Sequence, residues 1–162
     1  MILEYYMTHP SVHPPTRANP SDAGLDIYYS PKDAKQQITI KAGHTALLNT
    51  GLRFGVPHGY MLQVMNRSSV ASKKHLLVGA CVIDSGYDGE VFINLHNVGT
   101  TDQLIKPEDK IAQVVMVPVV PFRAYARHDG SLYDYPITMS HRGTGALGST
   151  DKPSERKTIL DL

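Results

Sequence analysis

Turn-forming residues interrupt this chain at short intervals, and this spacing limits the folds that are open to it. Gly, Pro, Asn, Asp and Ser form turns because they supply positive φ, fixed φ or local side-chain hydrogen bonds. Such clusters occur at 19–22, 41–43, 56–59, 85–89 and 106–109. The segments between them suit short strands, so we expect an all-β sandwich or barrel.

Apolar and other residues alternate in the segment 91–96, as in a strand with one buried face. The apolar set is Val91, Ile93 and Leu95, and the intervening set is Phe92, Asn94 and His96. Runs at 60–65 and 111–117 have a similar character. These three segments are the clearest strand predictions.

One short helix is predicted over 70–76, after Arg67-Ser68-Ser69. A serine there can act as the N-cap, with Arg67 in solvent. The same guanidinium, hydroxyls and helix N-terminus also suit a phosphate group. Both interpretations stay open from this segment alone.

Composition indicates one soluble globular unit with a local rather than a general anion site. The 162 residues are 41% hydrophobic and 19% charged, with a formal net charge of +1, so no basic surface for nucleic acid is expected. The single cysteine, Cys81, cannot form an internal disulfide and suits a reducing compartment. The N-terminus lacks signal-peptide features and no run is long enough to span a membrane, so we expect a cytoplasmic protein.

Asp84, just before the turn segment 85–89, and Tyr87, within it, are candidate functional residues. Asp84 ends the apolar stretch 79–83, where its carboxylate can serve as a general base or simply form a turn. Tyr87 can pack its ring on a flat ligand or within the core. No elbow motif for a nucleophilic serine is present, and Cys81 has no evident partner. Hydrolysis would therefore use an activated water.

Histidine spacing does not indicate a protein-ligated zinc site. His9 and His13 have the spacing of a helical metal pair, but Pro10, Pro14 and Pro15 exclude a helix there.

A glycine-rich run, 142–150, lies near the C-terminus with Arg142 at its start. Glycine backbone can approach an anion closely, and a guanidinium binds phosphate oxygens in a fork. The chain after it is too short for the βαβ unit of a dinucleotide fold. The run is either a phosphate-binding arm or a disordered tail.

Five blocks, in this order, resemble the motifs of the trimeric dUTPases, the dUTP pyrophosphatases. They span most of the chain: 22–27 (DAGLDI), 66–71 (NRSSVA), 78–91 (VGACVID continuing through Tyr87 to GEV), 108–114 (EDKIAQV) and 142–150 (RGTGALGST). The resemblance implies a jelly-roll-like subunit over 1–140 and a flexible C-terminal arm over 141–162. It also implies a homotrimer with each active site built from several chains.

The resemblance further implies hydrolysis of dUTP to dUMP and pyrophosphate. Asp84 would be the catalytic base, Tyr87 would lie against the deoxyribose, and the backbone of Cys81, Val82 and Ile83 would contact the uracil edge. Mg²⁺ would be held by phosphate oxygens and waters, with Asp26 in an outer shell. The residues expected on the phosphate chain or carried by the arm are Arg67, Ser68, Ser69, Gln113, Arg142, Leu147, Gly148, Ser149 and Thr150.

Two departures from the family pattern bear on base specificity. Leu147 stands where a phenylalanine usually covers the uracil, and Cys81 stands where glycine is usual. A dCTP deaminase, a bifunctional deaminase–dUTPase or a pyrophosphatase for a modified deoxynucleotide of the same fold therefore stays an alternative. A non-enzymatic nucleotide sensor on the same scaffold is the third interpretation, after the dUTPase and these related enzymes.

Overall fold

Short strands make up nearly all of the regular structure. The computed structural model describes residues 1–128, which contain eleven strands and one seven-residue helix. The elements in chain order are β1 (Glu4–Met7), β2 (Leu25–Tyr28), β3 (Ile38–Ile40), β4 (Thr45–Asn49), β5 (Leu52–Gly55), β6 (Tyr60–Met65), α1 (Ser68–Lys74), β7 (Leu76–Val78), β8 (Val82–Ile83), β9 (Phe92–Asn97), β10 (Gln103–Ile105) and β11 (Lys110–Pro118). The expected all-β fold with one short helix is confirmed.

The strands form antiparallel sheets that bring distant parts of the chain together. One sheet has the order β2-β11-β6-β8, and a second has the order β4-β9-β7. The pairs β1–β5 and β3–β10 form two smaller sheets. β11 lies between β2 and β6, so this one strand connects segments that are far apart in sequence.

The core lies on the inner faces of these sheets, and β9 shows how the sequence pattern produces it. Ile93 and Leu95 are fully buried, whereas Phe92 and His96 on the other face are exposed. Burying an aliphatic side chain of this kind contributes about 1.5–3 kcal/mol relative to leaving it in water. The predicted alternation in this segment is confirmed.

The helix begins earlier and ends earlier than predicted. Its first residue is Ser68, its N-cap is Arg67, and no side chain makes the capping hydrogen bond, so the serine-cap interpretation is wrong. It ends at Lys74 because His75 adopts a left-handed conformation with φ 52°. Leu76, expected in the helix, is instead buried in β7.

The chain divides into two units, Met1–Phe122 and Arg123–Leu162. The first unit contains every strand named above. The predicted boundary between residues 140 and 141 and the arm over 141–162 lie outside the described residues, so both stay predictions. Within 1–128, no helix combines the length and hydrophobicity that crossing a bilayer requires.

Candidate functional site

A pocket of about 270 Å³ lies beside β8 and the turn that follows it. Its wall is formed by side chains from three segments of the chain: Leu47, Val82, Ile83, Asp84, Tyr87, Glu90, Val91 and Phe92. The predicted residues Val82, Ile83, Asp84 and Tyr87 therefore meet in one place. Cys81 is exposed and does not line this pocket, and its carbonyl accepts a hydrogen bond from the Val64 N–H at 2.8 Å.

A tight turn presents Asp84 at the edge of this pocket. The Tyr87 N–H donates to the Asp84 carbonyl at 3.2 Å, and Gly86 has φ 89°, a conformation that favours glycine. The Ser85 hydroxyl donates to the Val56 carbonyl at 3.1 Å and attaches the turn to the fold. The Asp84 carboxylate is exposed and makes no hydrogen bond or ion pair with any residue from 1 to 128. Among the described residues, this carboxylate is thus open to a ligand or a water molecule.

Tyr87 is half-exposed beside Asp84 rather than packed in the core. Its hydroxyl donates to the Glu90 carbonyl at 2.9 Å. A Cβ on Gly89 would lie 2.4 Å from the Tyr87 hydroxyl oxygen, so the ring takes this position because residue 89 is glycine. With 48% of the residue exposed, the ring can contact a ligand in the pocket.

A second polar cluster surrounds Asp26 on β2. Its two carboxylate oxygens accept from Arg67 Nε at 2.7 Å and Lys110 Nζ at 2.8 Å. Burial alone raises the pKa of Asp26, but the hydrogen bonds from Lys110 and Arg67 outweigh it and hold that pKa below its usual value. The same contact with Asp26 raises the pKa of Lys110. The carboxylate therefore stays ionised and orients both cations.

Gln113 lies directly opposite Asp26 in the β2–β11 pairing. Its side-chain amide donates to the Asn66 carbonyl at 2.9 Å, next to Arg67. A Cβ on Gly24 would lie 2.3 Å from Gln113 Oε1, so the absent side chain at 24 makes room for the amide. The cluster thus joins parts of the first, second and fourth sequence blocks.

A register shift in β11 allows Lys110 to share this face with Gln113. The two residues are three apart, which in a regular strand would place them on opposite faces. The register shifts between Lys110 and Ala112, consistent with a bulge, and Lys110 pairs with Tyr28 on the same face as Asp26.

Of the predicted phosphate-binding residues, Arg67 and Gln113 belong to this cluster, and the exposed Ser68 and Ser69 begin α1 beside it. Sequence reasoning missed Lys110, whose position depends on the register shift. In the pocket it missed Leu47, Glu90, Val91 and Phe92. Phe92 had a usable signal, because it is a large aromatic residue on the otherwise polar face of β9.

The pocket and the Asp26 cluster lie toward opposite ends of β6. β8 pairs with β6 so that Val82 is opposite Gln63 and Ile83 is opposite Leu62. Because the pairing is antiparallel, Asp84 follows toward the end of β6 that is farther from Met65. Arg67 follows the other end of β6, beyond Met65. At about 3.3 Å per residue, the six residues of β6 alone span roughly 17 Å. Within one chain, Asp84 and Arg67 therefore lie near opposite ends of this strand.

The predicted residues of the arm, Arg142, Leu147, Gly148, Ser149 and Thr150, lie outside the described residues. Within 1–128, no group of three or more His, Cys, Asp or Glu side chains is arranged to hold a metal ion.

Solved structures share the fold. A dUTPase of Staphylococcus bacteriophage 80alpha with dUpNHpp superimposes with a TM-score of 0.76 at 23% identity, covering 92% of this chain and 98% of that chain. A dUTPase from phage phi11 of S. aureus, whose structure shows the coordination of a structural Mg(II) ion, has a TM-score of 0.71 at 23% identity over 80% of this chain and 98% of that chain. The protein therefore belongs to the class of proteins with this jelly-roll-like β fold.

Sequence comparison then gives the family. The dUTPase family model matches residues 11–135. The Saccharomyces cerevisiae deoxyuridine 5'-triphosphate nucleotidohydrolase is 33% identical over 149 residues, covering 92% of this chain and 94% of that protein. The protein of that name from Clostridium acetobutylicum is 36% identical over 138 residues, covering 84% and 87%. The chain belongs to the dUTPase family.

Proposed function

We propose that the protein hydrolyses dUTP to dUMP and pyrophosphate. The observation that carries this proposal is the exposed carboxylate of Asp84, without a partner in residues 1–128, beside Tyr87 in a pocket with largely apolar walls. Apolar walls suit a base and sugar, and the carboxylate suits a water molecule. Family membership and the names of the relatives support dUTP as the substrate. The lone cysteine is consistent with an enzyme of the cytoplasm.

In the proposed reaction, Asp84 orients a water molecule and accepts its proton as the water oxygen attacks the α-phosphorus. A new P–O bond forms to that oxygen, and the bond from the α-phosphorus to the bridging oxygen breaks. Pyrophosphate leaves with the electrons of the broken bond. The rate gain comes from holding the reactants together and from stabilising the charge on the phosphates.

Base and sugar selectivity are assigned to β8 and the turn after it, which carries Asp84. The backbone of Cys81, Val82 and Ile83 is proposed to contact the uracil edge, with the N–H at Cys81 because its carbonyl already accepts from Val64. Backbone groups that the bound base covers strongly reject a base that leaves them unpaired. The Tyr87 ring is proposed to lie against the deoxyribose, where a ribose 2′-hydroxyl would clash.

Phosphate binding is assigned to the Asp26 cluster and to the arm. Arg67, Ser68, Ser69 and Gln113 are proposed to contact the phosphate chain, with the Arg67 guanidinium oriented by Asp26. The contacts proposed for the arm are those of Arg142, Leu147, Gly148, Ser149 and Thr150.

The donor groups fit a Mg²⁺ ion held by the substrate. Residues 1–128 offer no carboxylate cluster that would ligate the ion alone, and both oxygens of Asp26 already accept from cations. Triphosphate oxygens and waters would therefore be the ligands, with Asp26 in the outer shell. When bound, Mg²⁺ would neutralise phosphate charge.

The active species is proposed to be a homotrimer whose sites combine residues of different chains. The separation of Asp84 and Arg67 along β6 supports this arrangement. A test is to co-refold Asp84→Asn with Arg67→Gln chains, each inactive when refolded alone. In mixed trimers, some sites would receive Asp84 from one chain and Arg67 from the other, restoring roughly a quarter of the sites by random assortment. No recovery in verified mixed trimers would contradict the shared site.

The reaction itself is tested by incubating the protein with each deoxynucleoside triphosphate and Mg²⁺ and identifying the products. We expect dUMP and pyrophosphate from dUTP, and little reaction with dCTP or dTTP. Release of ammonia from dCTP would instead support a deaminase. Faster hydrolysis of another deoxynucleotide would support a pyrophosphatase with a different base preference.

A further inference from the structure

Glu90 attaches the end of the connection between β8 and β9, which carries Asp84, to the neighbouring segment 49–51. Its Oε1 atom accepts from the side-chain amide of Asn49 at 3.2 Å and from the Gly51 N–H at 3.1 Å. Glu90 is partly buried and makes no ion pair with any residue from 1 to 128. The side chain therefore works here as a hydrogen-bond acceptor, and its contacts need an oxygen more than a charge.

The peptide group between Glu90 and Val91 connects Tyr87 to β5. Its carbonyl accepts from the Tyr87 hydroxyl at 2.9 Å, and its N–H donates to the Leu52 carbonyl at 2.8 Å. On the Val91 side, the peptide is also held by the buried Val91 side chain and by the Thr50 hydroxyl, which donates to the Val91 carbonyl at 2.6 Å. The Glu90 side chain supplies the attachment on the other side of the peptide, through Asn49 and Gly51.

We infer that Glu90 is a positioning residue that fixes the Tyr87 ring and thereby sets discrimination between deoxyribose and ribose. The inference rests on the proposed dUTPase function, in which the ring lies against the sugar. Gly89 allows the ring to fold back, and the Glu90 carbonyl holds its hydroxyl. Because a clash with a single hydroxyl depends on the ring position, a shift of about 1 Å would relieve it.

The test is the ratio of kcat/KM for dUTP to kcat/KM for UTP in variants of the full chain. Glu90→Ala removes the acceptor and should lower this ratio at least about tenfold, a modest part of what misplacement can cost. Glu90→Gln keeps an amide oxygen that can accept both hydrogen bonds, so it should restore most of the ratio. Asp84 is not bonded to Glu90, so kcat for dUTP should change less than the ratio.

Two controls separate positioning from general destabilisation. Ile105→Val shortens a buried side chain in β10, a strand that pairs with β3 rather than with the segments of this linkage, so the ratio should not change. Asn49→Ala removes one donor to Glu90 and leaves the Gly51 contact. It should lower the ratio by less than Glu90→Ala, and it serves as the test if Glu90→Ala does not fold.

The outcomes distinguish this inference from the proposed function. A wild-type protein that does not hydrolyse dUTP overturns both. A wild-type protein active on dUTP, with an unchanged ratio in Glu90→Ala, overturns the positioning role alone, as does an unchanged ratio in Asn49→Ala if Glu90→Ala is unfolded. If Glu90→Gln loses as much as Glu90→Ala, the charge of Glu90 matters and the acceptor role is wrong.

Discussion

Asp26→Asn should destabilise the fold by an amount that depends on pH. The Asp26 side chain is 15% exposed and accepts from Arg67 and Lys110, whose side chains are 24% and 36% exposed. Losing the charge-assisted part of the Arg67 bond should cost about 1.5 kcal/mol. The more exposed Lys110 pair should add only about 0.5 kcal/mol. At pH 7 the expected loss is therefore about 2 kcal/mol.

The sign of the pH dependence follows from the lowered pKa of Asp26. A carboxyl whose pKa is lower in the folded state stabilises that state above its unfolded pKa, and the contribution is lost as pH falls through the folded value. Wild type and Asp26→Asn should therefore differ fully at pH 7. The difference should decrease below the ordinary aspartate pKa of 3.8.

Urea unfolding at equal protein concentration, at pH 7 and at several values below pH 4, measures this difference. Asp22→Asn is the matched control, since Asp22 is an exposed carboxylate of the same segment without an ion pair in the described part of the chain. Its effect at pH 7 should stay within about 0.5 kcal/mol. An Asp26→Asn effect no larger than this control, or one that does not decrease at low pH, would refute the reasoning.

Four further predictions concern catalysis and assembly. Asp84→Asn should retain dUTP binding and lose at least ~10²-fold in turnover, and a rate within a few-fold of wild type would remove Asp84 as the base. A chain ending at Ser140 should fold and assemble but nearly lose turnover, so full activity would show that the arm is dispensable. Light scattering should give about three times 17.8 kDa, whereas a fully active monomer would contradict the shared site. Leu147→Phe should lower KM for dUTP, because an aromatic ring over a base contributes about 1–3 kcal/mol and leucine only part of it. Impaired dUTP hydrolysis in that variant would indicate a pocket shaped for another base.

The strand pattern could be predicted because burial follows the two-residue period of a strand. The alternation at 91–96 corresponds to β9, and the runs at 60–65 and 111–117 fall in β6 and β11. The helix limits could not be predicted in this way. Its end depends on the left-handed conformation of His75, a residue type that gives no strong local signal for that geometry.

The candidate site was predictable wherever its residues are close in sequence. Val82, Ile83, Asp84 and Tyr87 come from one short segment that includes β8 and the turn after it, so their meeting follows from local turn chemistry. Lys110 joins Asp26 only through a register shift in another strand, and Glu90 contacts a segment about forty residues away. Such contacts depend on tertiary pairing, which no local pattern in the sequence specifies.

The separation of Asp84 and Arg67 by the length of β6 has a genetic consequence in the proposed trimer. A chain carrying both Asp84→Asn and Arg67→Gln would still assemble with normal chains. It would inactivate the site to which it should supply Asp84, and also the neighbouring site to which it should supply Arg67. Because one defective chain removes two sites, activity in a mixed population would fall more steeply than the share of defective chains. Loss of function at these residues, when combined in one chain, would thus be partly dominant.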